Sequence, residues 1–141
     1  MYSKIVVGLD GSEGAARGLE HAKELAGQSG GEIIAVHIDE RIVAKGDMPT
    51  ADPAEAEVKE KVRGQVDALN DAGIKTELVE SVIVLGGPGR AIADIADGAG
   101  ADLIVVGTRG HSSIPGVILG SVAHRLLHIA GRPVLAVPPT S

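Results

Sequence analysis

The chain alternates short, uninterrupted apolar runs with longer stretches in which apolar residues recur every three or four positions. Ile5-Val6-Val7-Gly8-Leu9 is one such run, and it predicts a strand buried on both faces. Asp10-Gly11-Ser12 then supplies turn and N-cap chemistry for a helix to about Gly27, whose stripe is Ala15, Leu19, Ala22, Leu25 and Ala26. Gly30-Gly31 ends that helix, and Glu32 to Ile38 reads as a second strand. Residues 39 to 53 are charged, contain Pro49 and Pro53 and have little periodicity, so they read as a mobile connection. Val58, Val62, Val66 and Leu69 mark a helix from about Pro53 to Ala72, with Gly73 as its stop. A strand from Thr76 to Leu85 follows, then a helix with Pro88 in its first turn that runs through Ala96. Asp102 to Gly107 is another buried strand, Ser121 to Ile129 a short helix, and Pro133 to Val137 the last strand.

Strands and helices thus alternate from end to end. This predicts one α/β domain over residues 1–141: an open five-stranded parallel sheet, order 3-2-1-4-5, with helices on both faces in the Rossmann-like manner. Strands one and four would be neighbours where the winding reverses. Ligands of such sheets sit at the carboxyl ends of the strands at that point, which here are Asp10 and Gly107.

Composition narrows the partners. The 141 residues include no Trp, no Phe and only Tyr2, so the core must be aliphatic, and the composition argues against base stacking on aromatic platforms. The net charge of −6 disfavours nucleic acid and anionic membrane as partners. There is no Cys, hence no disulfide, thiolate nucleophile or thiolate-bound zinc. No apolar run approaches the length of a membrane span and the start lacks a signal-peptide layout, so a cytoplasmic protein is expected. Acidity does not exclude a phosphate ligand, because backbone N–H groups bind phosphate without net positive charge.

After the fourth strand the chain reads Gly107-Thr-Arg-Gly110, then nine residues, then Gly120-Ser121, a spacing of G-x2-G-x9-G-S. A strand enters a glycine loop and the loop enters a helix N-terminus, whose bare amides and hydroxyl suit phosphate oxygens. The alternative is a loop that uses glycine only for its turns. Two other nucleotide signatures are missing: G-x-x-x-x-G-K-[ST] is absent, and Gly8, Gly11 and Gly14 do not have dinucleotide-fingerprint spacing.

With these residues in view, the chain resembles the universal stress proteins, in the branch that carries the ATP-binding motif G-x2-G-x9-G-[ST]. The resemblance spans essentially the whole chain and includes Ile5 to Ser12, Val36-His37-Ile38, Gly86-x-Pro88 and, most specifically, Asp102 to Pro138. It implies the sheet above, of the adenine nucleotide alpha hydrolase-like kind, and a homodimer. It also implies an ATP site, or one for another adenine nucleotide, to which Gly8 and Leu9 contribute. Asp10 would lie near ribose and phosphate, where it could also hold Mg²⁺ with the phosphates. Ile38 would pack on adenine, Val106, Gly107 and Gly110 would line the nucleotide, and Gly120, Ser121 and Val122 would hold phosphates. Leu9 and Ala123 depart from the pattern, standing where some members have a hydroxyl.

Other residues carry two readings each. Arg109 and His111 lie in the loop and either meet phosphates or form a solvated tip, and Ser112 and Ser113 read as ordinary loop polarity. His124 and His128 have i, i+4 metal-ligand spacing, but no third ligand is evident nearby, so a solvated face is the simpler reading. His37 reads as a packed residue and His21 as surface. Val134 to Val137 form an apolar strand at an expected sheet edge, where pairing with a second copy would make a two-fold dimer. With no nucleophile or general base in sight, the expected function is a nucleotide-dependent sensor or regulator in a stress response. The alternatives are a slow ATPase or auto-phosphoryl or nucleotidyl transferase, and a binder of AMP or cyclic AMP.

Overall fold

Each apolar run becomes a strand of one sheet. The structure is a computed structural model that describes residues 2–40, 53–83, 86–109 and 119–140. In chain order the elements are β1 (Lys4–Gly8), α1 (Glu13–Ser29), β2 (Glu32–Glu40), α2 (Pro53–Asp71), β3 (Thr76–Ile83), α3 (Gly87–Ala99), β4 (Leu103–Gly107), α4 (Ser121–Ile129) and β5 (Val134–Val137). All strand pairs are parallel, and the order is β3-β2-β1-β4-β5, as the alternation predicts.

The sheet divides the interior into two aliphatic cores. Successive strand residues point to opposite faces, so Ile5 and Val7 pack under α1 and α2 while Val6 packs under α3 and α4. All three are fully buried, which explains why the middle of β1 carries no polar residue. On the helices the apolar stripe faces inward: Leu19, Ala22 and Ala26 of α1 and Val62, Val66 and Leu69 of α2 on one side, Ile92 and Ala96 of α3 and Leu126 of α4 on the other. Gly30 closes α1 at φ 68°, a left-handed conformation that costs glycine least, and its N–H returns to the Ala26 carbonyl.

Three of the boundaries that differ from expectation have a visible physical reason. β2 runs on to Glu40 because its pairing with β3 continues through Asp39↔Val82 and Glu40↔Ile83, so these two residues belong to a strand and not to the connection. The remainder of that expected mobile connection, residues 41–52, lies outside the described residues, as do Val84 and Leu85 at the end of the third strand. α3 passes Gly98 and ends at Ala99, since the left-handed turn is made by Gly100, whose N–H reaches the carbonyls of Ala96 and Asp97. β4 starts at Leu103 because Asp102 serves the neighbouring strand instead: its carboxylate accepts from Ser3 N, Ser3 Oγ and Lys4 N at 2.8, 2.7 and 3.0 Å.

Candidate functional site

Two strand-to-helix turns meet at the carboxyl end of the sheet, where β1 and β4 lie side by side. In the first, Leu9 N donates to the Val36 carbonyl at 2.8 Å, which ties the tip of β1 to β2. Asp10 Oδ1 then accepts from Ser12 N at 2.9 Å across Gly11, which sits at φ 81°. Ser12 is the N-cap of α1, its hydroxyl accepting from Ala15 N at 3.2 Å. Lys61 of α2 donates to the Gly11 carbonyl at 2.8 Å and brings a cation to this turn.

The second turn leaves β4 at Gly107. A Cβ on Gly107 would stand 2.9 Å from the Gly14 carbonyl carbon and 3.0 Å from Ala15 N, so only glycine lets the end of β4 lie against the first turn of α1. Gly14 answers from the other side: a Cβ there would meet Arg109 O at 3.3 Å and Val137 O at 3.5 Å. Thr108 N donates to Val137 O at 2.9 Å, and Gly120 N donates to Thr108 O at 2.5 Å, which brings the start of α4 to the same corner. The N-cap of α4 is Gly120, which has no side chain to offer, and among the described residues no side-chain cap is made. The amides of Ser121, Val122 and Ala123 have no acceptor within their own helix, and they stand at the positive end of its dipole.

The structure brings together Gly8, Leu9 and Asp10 at the β1 tip with Val106, Gly107 and Arg109 at the β4 tip, and it joins Gly120 to Thr108. Ile38 is half-buried on β2, and Ser121 and Arg109 are exposed. The side chains of Leu9 and Val106 are committed to the cores, at 3% and 4% exposure, so any part they take belongs to their backbone groups. Val122 is half-buried against the α3/α4 core. Gly110 and His111, with Ser112 and Ser113, lie outside the described residues. Among the described residues, no cluster of three or more His, Asp or Glu could hold a metal ion unaided. His124 and His128 are exposed with their rings edge to face, centroids 4.8 Å apart. Among the described residues no helix is long and apolar enough to cross a membrane.

The C-terminal segment closes over α1 beside this corner. Thr140 N and Oγ1 both donate to Glu13, which holds that carboxyl below the usual carboxylate range, and Arg17 donates to the Pro138 carbonyl.

Sequence reasoning missed a row of paired charges under α2. His37 is 2% exposed; its Nδ1 lies 2.7 Å from the Leu9 carbonyl and its Nε2 meets Glu55 Oε1. Lys59 pairs with Asp39 at 3.2 Å. Arg63 pairs with Glu80 through two bonds of 3.0 and 3.1 Å, which pulls the Glu80 carboxyl below its ordinary range. Glu55, Lys59 and Arg63 recur every fourth residue on α2. That spacing, set against the alternate polar residues His37 and Asp39 on β2, was the available signal.

The Universal stress protein family profile matches residues 1–138. The chain belongs to the universal stress protein family. Its relatives include universal stress protein MJ0577 of Methanocaldococcus jannaschii, 31% identical over 97% of this chain and 95% of that one. The solved structure of MJ0577 superposes with a TM-score of 0.82 at 28% identity, covering 100% of this chain and 99% of its own. A universal stress protein in complex with cAMP matches at 30% identity and a TM-score of 0.72, over 99% of both chains. The universal stress protein from Archaeoglobus fulgidus in complex with dAMP matches at 29% identity and a TM-score of 0.71, over 96% of this chain and 98% of that one.

Proposed function

We propose that this universal stress protein binds an adenine nucleotide, ATP foremost, at the carboxyl ends of β1 and β4, and serves in the cytoplasm as a nucleotide-dependent sensor in a stress response. The observation that carries this reading is the start of α4. Its first-turn amides have no side-chain cap at Gly120, and they lie in the corner where Gly107 and Gly14 bring two backbones together. An anion is the natural partner of such amides. In this reading Gly107, Gly120, Ser121 and Val122, with Gly110 from the loop, receive the phosphates, Arg109 and His111 add charge at the rim, and Ile38 packs on the base. Gly8, Leu9 and Val106 form the floor. Asp10 lies near the ribose and is suited to Mg²⁺, a cation that is commonly held by one or two carboxylates together with substrate phosphates. The nucleotide brings the negative charge; this chain supplies donors and orientation. Binding and sensing are favoured over turnover because Asp10 already accepts from Ser12 N, and among the described residues no second acid or base is bonded to it.

A binder of AMP or cyclic AMP is the second reading, supported by the relatives solved with cAMP and dAMP. We further propose a homodimer formed through β5, an edge strand of the sheet. Mass spectrometry of the nucleotide released by denaturing purified protein, followed by calorimetric titration with ATP, AMP and cAMP with and without Mg²⁺, tests both nucleotide readings. Retained or micromolar ATP that is still intact after hours supports the sensor. Failure of all three ligands to bind sinks both readings. Sedimentation tests the dimer, which Leu135→Asp should reduce to monomer; a wild-type chain that sediments as a monomer rejects it.

A further inference from the structure

We propose that His37 is a positioning residue of the nucleotide site, and that it acts through a second proton shared with Glu55, so that nucleotide affinity falls as the medium becomes alkaline. This rests on the nucleotide reading above. The argument is a count of donors and acceptors. The Leu9 carbonyl, 2.7 Å from Nδ1, can only accept, so Nδ1 carries a hydrogen. Nε2 meets a carboxylate oxygen of Glu55. A neutral imidazole has one N–H, so satisfying both contacts needs one proton more, whether it sits on Nε2 or on the carboxyl. With that proton the pair is neutral overall. Without it, a ring lone pair faces a carboxylate in a place where His37 is almost wholly withdrawn from water.

The charged groups around the ring are themselves paired. Asp39, two residues along β2, is held by Lys59 of α2, and Glu80, the register partner of His37 on β3, is held by Arg63. Lys61 is turned to the Gly11 carbonyl, and Asp10 to Ser12 N. Among the described pairs of this row, the Glu55 contact is therefore the one whose hydrogen bond needs a proton beyond that of the neutral ring.

The position of the ring gives the proton its consequence. Leu9 precedes Asp10, and both of its backbone polar groups are held from β2: the N–H by Val36 and the carbonyl by His37. Ile38, the proposed base-packing residue, follows His37 directly. Glu55 stands in the first turn of α2. One ring thus joins the residue before the proposed ribose contact, the residue beside the base and the start of a helix. When the second proton leaves, the bond to the buried Leu9 carbonyl is the costlier one to break, so Glu55 is released, its side chain being 20% exposed and able to reach water. The pair then carries one negative charge beside an anionic ligand, and α2 keeps Lys59–Asp39 but loses the tie of its first turn to β2. Both effects oppose binding. The contribution is present on the acid side and is lost as pH rises past the loss of this proton.

Long-range proton–nitrogen NMR of the imidazole in the free chain, followed from about pH 5 to pH 9, reads the protonation of both ring nitrogens. Calorimetry with ATP and with cAMP over the same range reads the site; the cAMP phosphodiester keeps a fixed charge throughout. The expected result is hydrogen on both ring nitrogens, or on Nδ1 and Glu55, at the acid end, with affinity for each ligand falling about fivefold toward the alkaline end. Glu55→Gln should flatten that slope, because its amide can donate to a neutral Nε2 and keep the bridge without the extra proton. His37→Gln serves as a harsher variant, expected to weaken binding at all pH values. An Nε2 unprotonated beside an ionised Glu55 across the whole range overturns the proposal, as does a Glu55→Gln slope equal to that of the wild type. Binding with pH-independent affinity overturns the coupling alone; no binding at any pH overturns the nucleotide reading and the coupling with it.

Discussion

The N-termini of α1 and α4 invite a direct comparison. Both helices start at the same end of the sheet, after neighbouring strands, and their cap residues have nearly the same backbone: φ −75°, ψ 160° at Ser12 and φ −69°, ψ 163° at Gly120. The chain has built two equivalent helix starts and closed only one. Ser12 turns its hydroxyl onto the Ala15 amide, while Gly120 leaves the corresponding amides without a side-chain partner. The difference lies in one side chain and not in the path of the backbone. In the proposed nucleotide reading, it separates an end that stabilises the fold from an end that receives an anion.

The strongest way to break this arrangement is to push the two ends apart. Gly107→Ala places a methyl 2.9 Å from the Gly14 carbonyl carbon, with backbone and no flexible side chain to yield. It should lower the unfolding free energy by about 2–3 kcal/mol in urea denaturation and strip co-purifying nucleotide. A midpoint equal to that of the wild type would mean the corner is not tight. The same Ser→Ala change at the two ends then sharpens the contrast. Ser121→Ala should weaken ATP about tenfold, or about 1.4 kcal/mol, by calorimetry, while the urea midpoint moves by less than about 0.5 kcal/mol in equivalent stability. Ser12→Ala should do the reverse, costing about 1 kcal/mol of stability through the lost cap. If both changes act mainly on stability, the open end is only a second structural cap.

The smallest expected effect comes from the far end of β4, where the chain supplies its own anion to two amides. The bonds from Ser3 and Lys4 hold the Asp102 carboxyl below the ordinary aspartate range. A depressed carboxyl stabilises the fold above its unfolded value, about 3.9, and that contribution fades as pH falls below it. The stability difference between wild type and Asp102→Asn should therefore shrink as pH is lowered from about 5 to 2 in a series of urea melts. A difference that stays constant with pH would remove Asp102 from the acid limb.

The fold was legible because parallel strands buried on both faces leave uninterrupted apolar runs, and Ile5-Val6-Val7 or Leu103-Ile104-Val105-Val106 cannot be mistaken for amphipathic segments. The limits of α4, Ser121 and Ile129, were readable from a glycine before and an apolar stripe within. The polar tail of β2 was not: Asp39 looks like a loop residue until Lys59, twenty residues away, compensates its buried carboxylate. For the same reason His37 could be read as packed but not as bridging, since Glu55 comes from another element. Gly14 counted only toward a failed fingerprint, and Gly18 carried no signal of its own. Four residues apart on α1, they are the face on which β4 closes, with a Cβ at Gly18 only 3.1 Å from Val105 Cγ1. Contacts of this kind belong to the approach of two elements, which no single stretch of sequence encodes.

The aliphatic interior has a practical consequence. With no Trp and no Phe, the single phenol of Tyr2 is the chain's whole intrinsic ultraviolet fluorescence. That ring is half-buried and lines one hollow with Leu103, Pro133, Val134 and Leu135, at the outer margin of the sheet. Its emission and its quenching by iodide therefore watch β5 and the neighbouring face of α1, an unlabelled optical gauge of whether that margin is covered by a second copy.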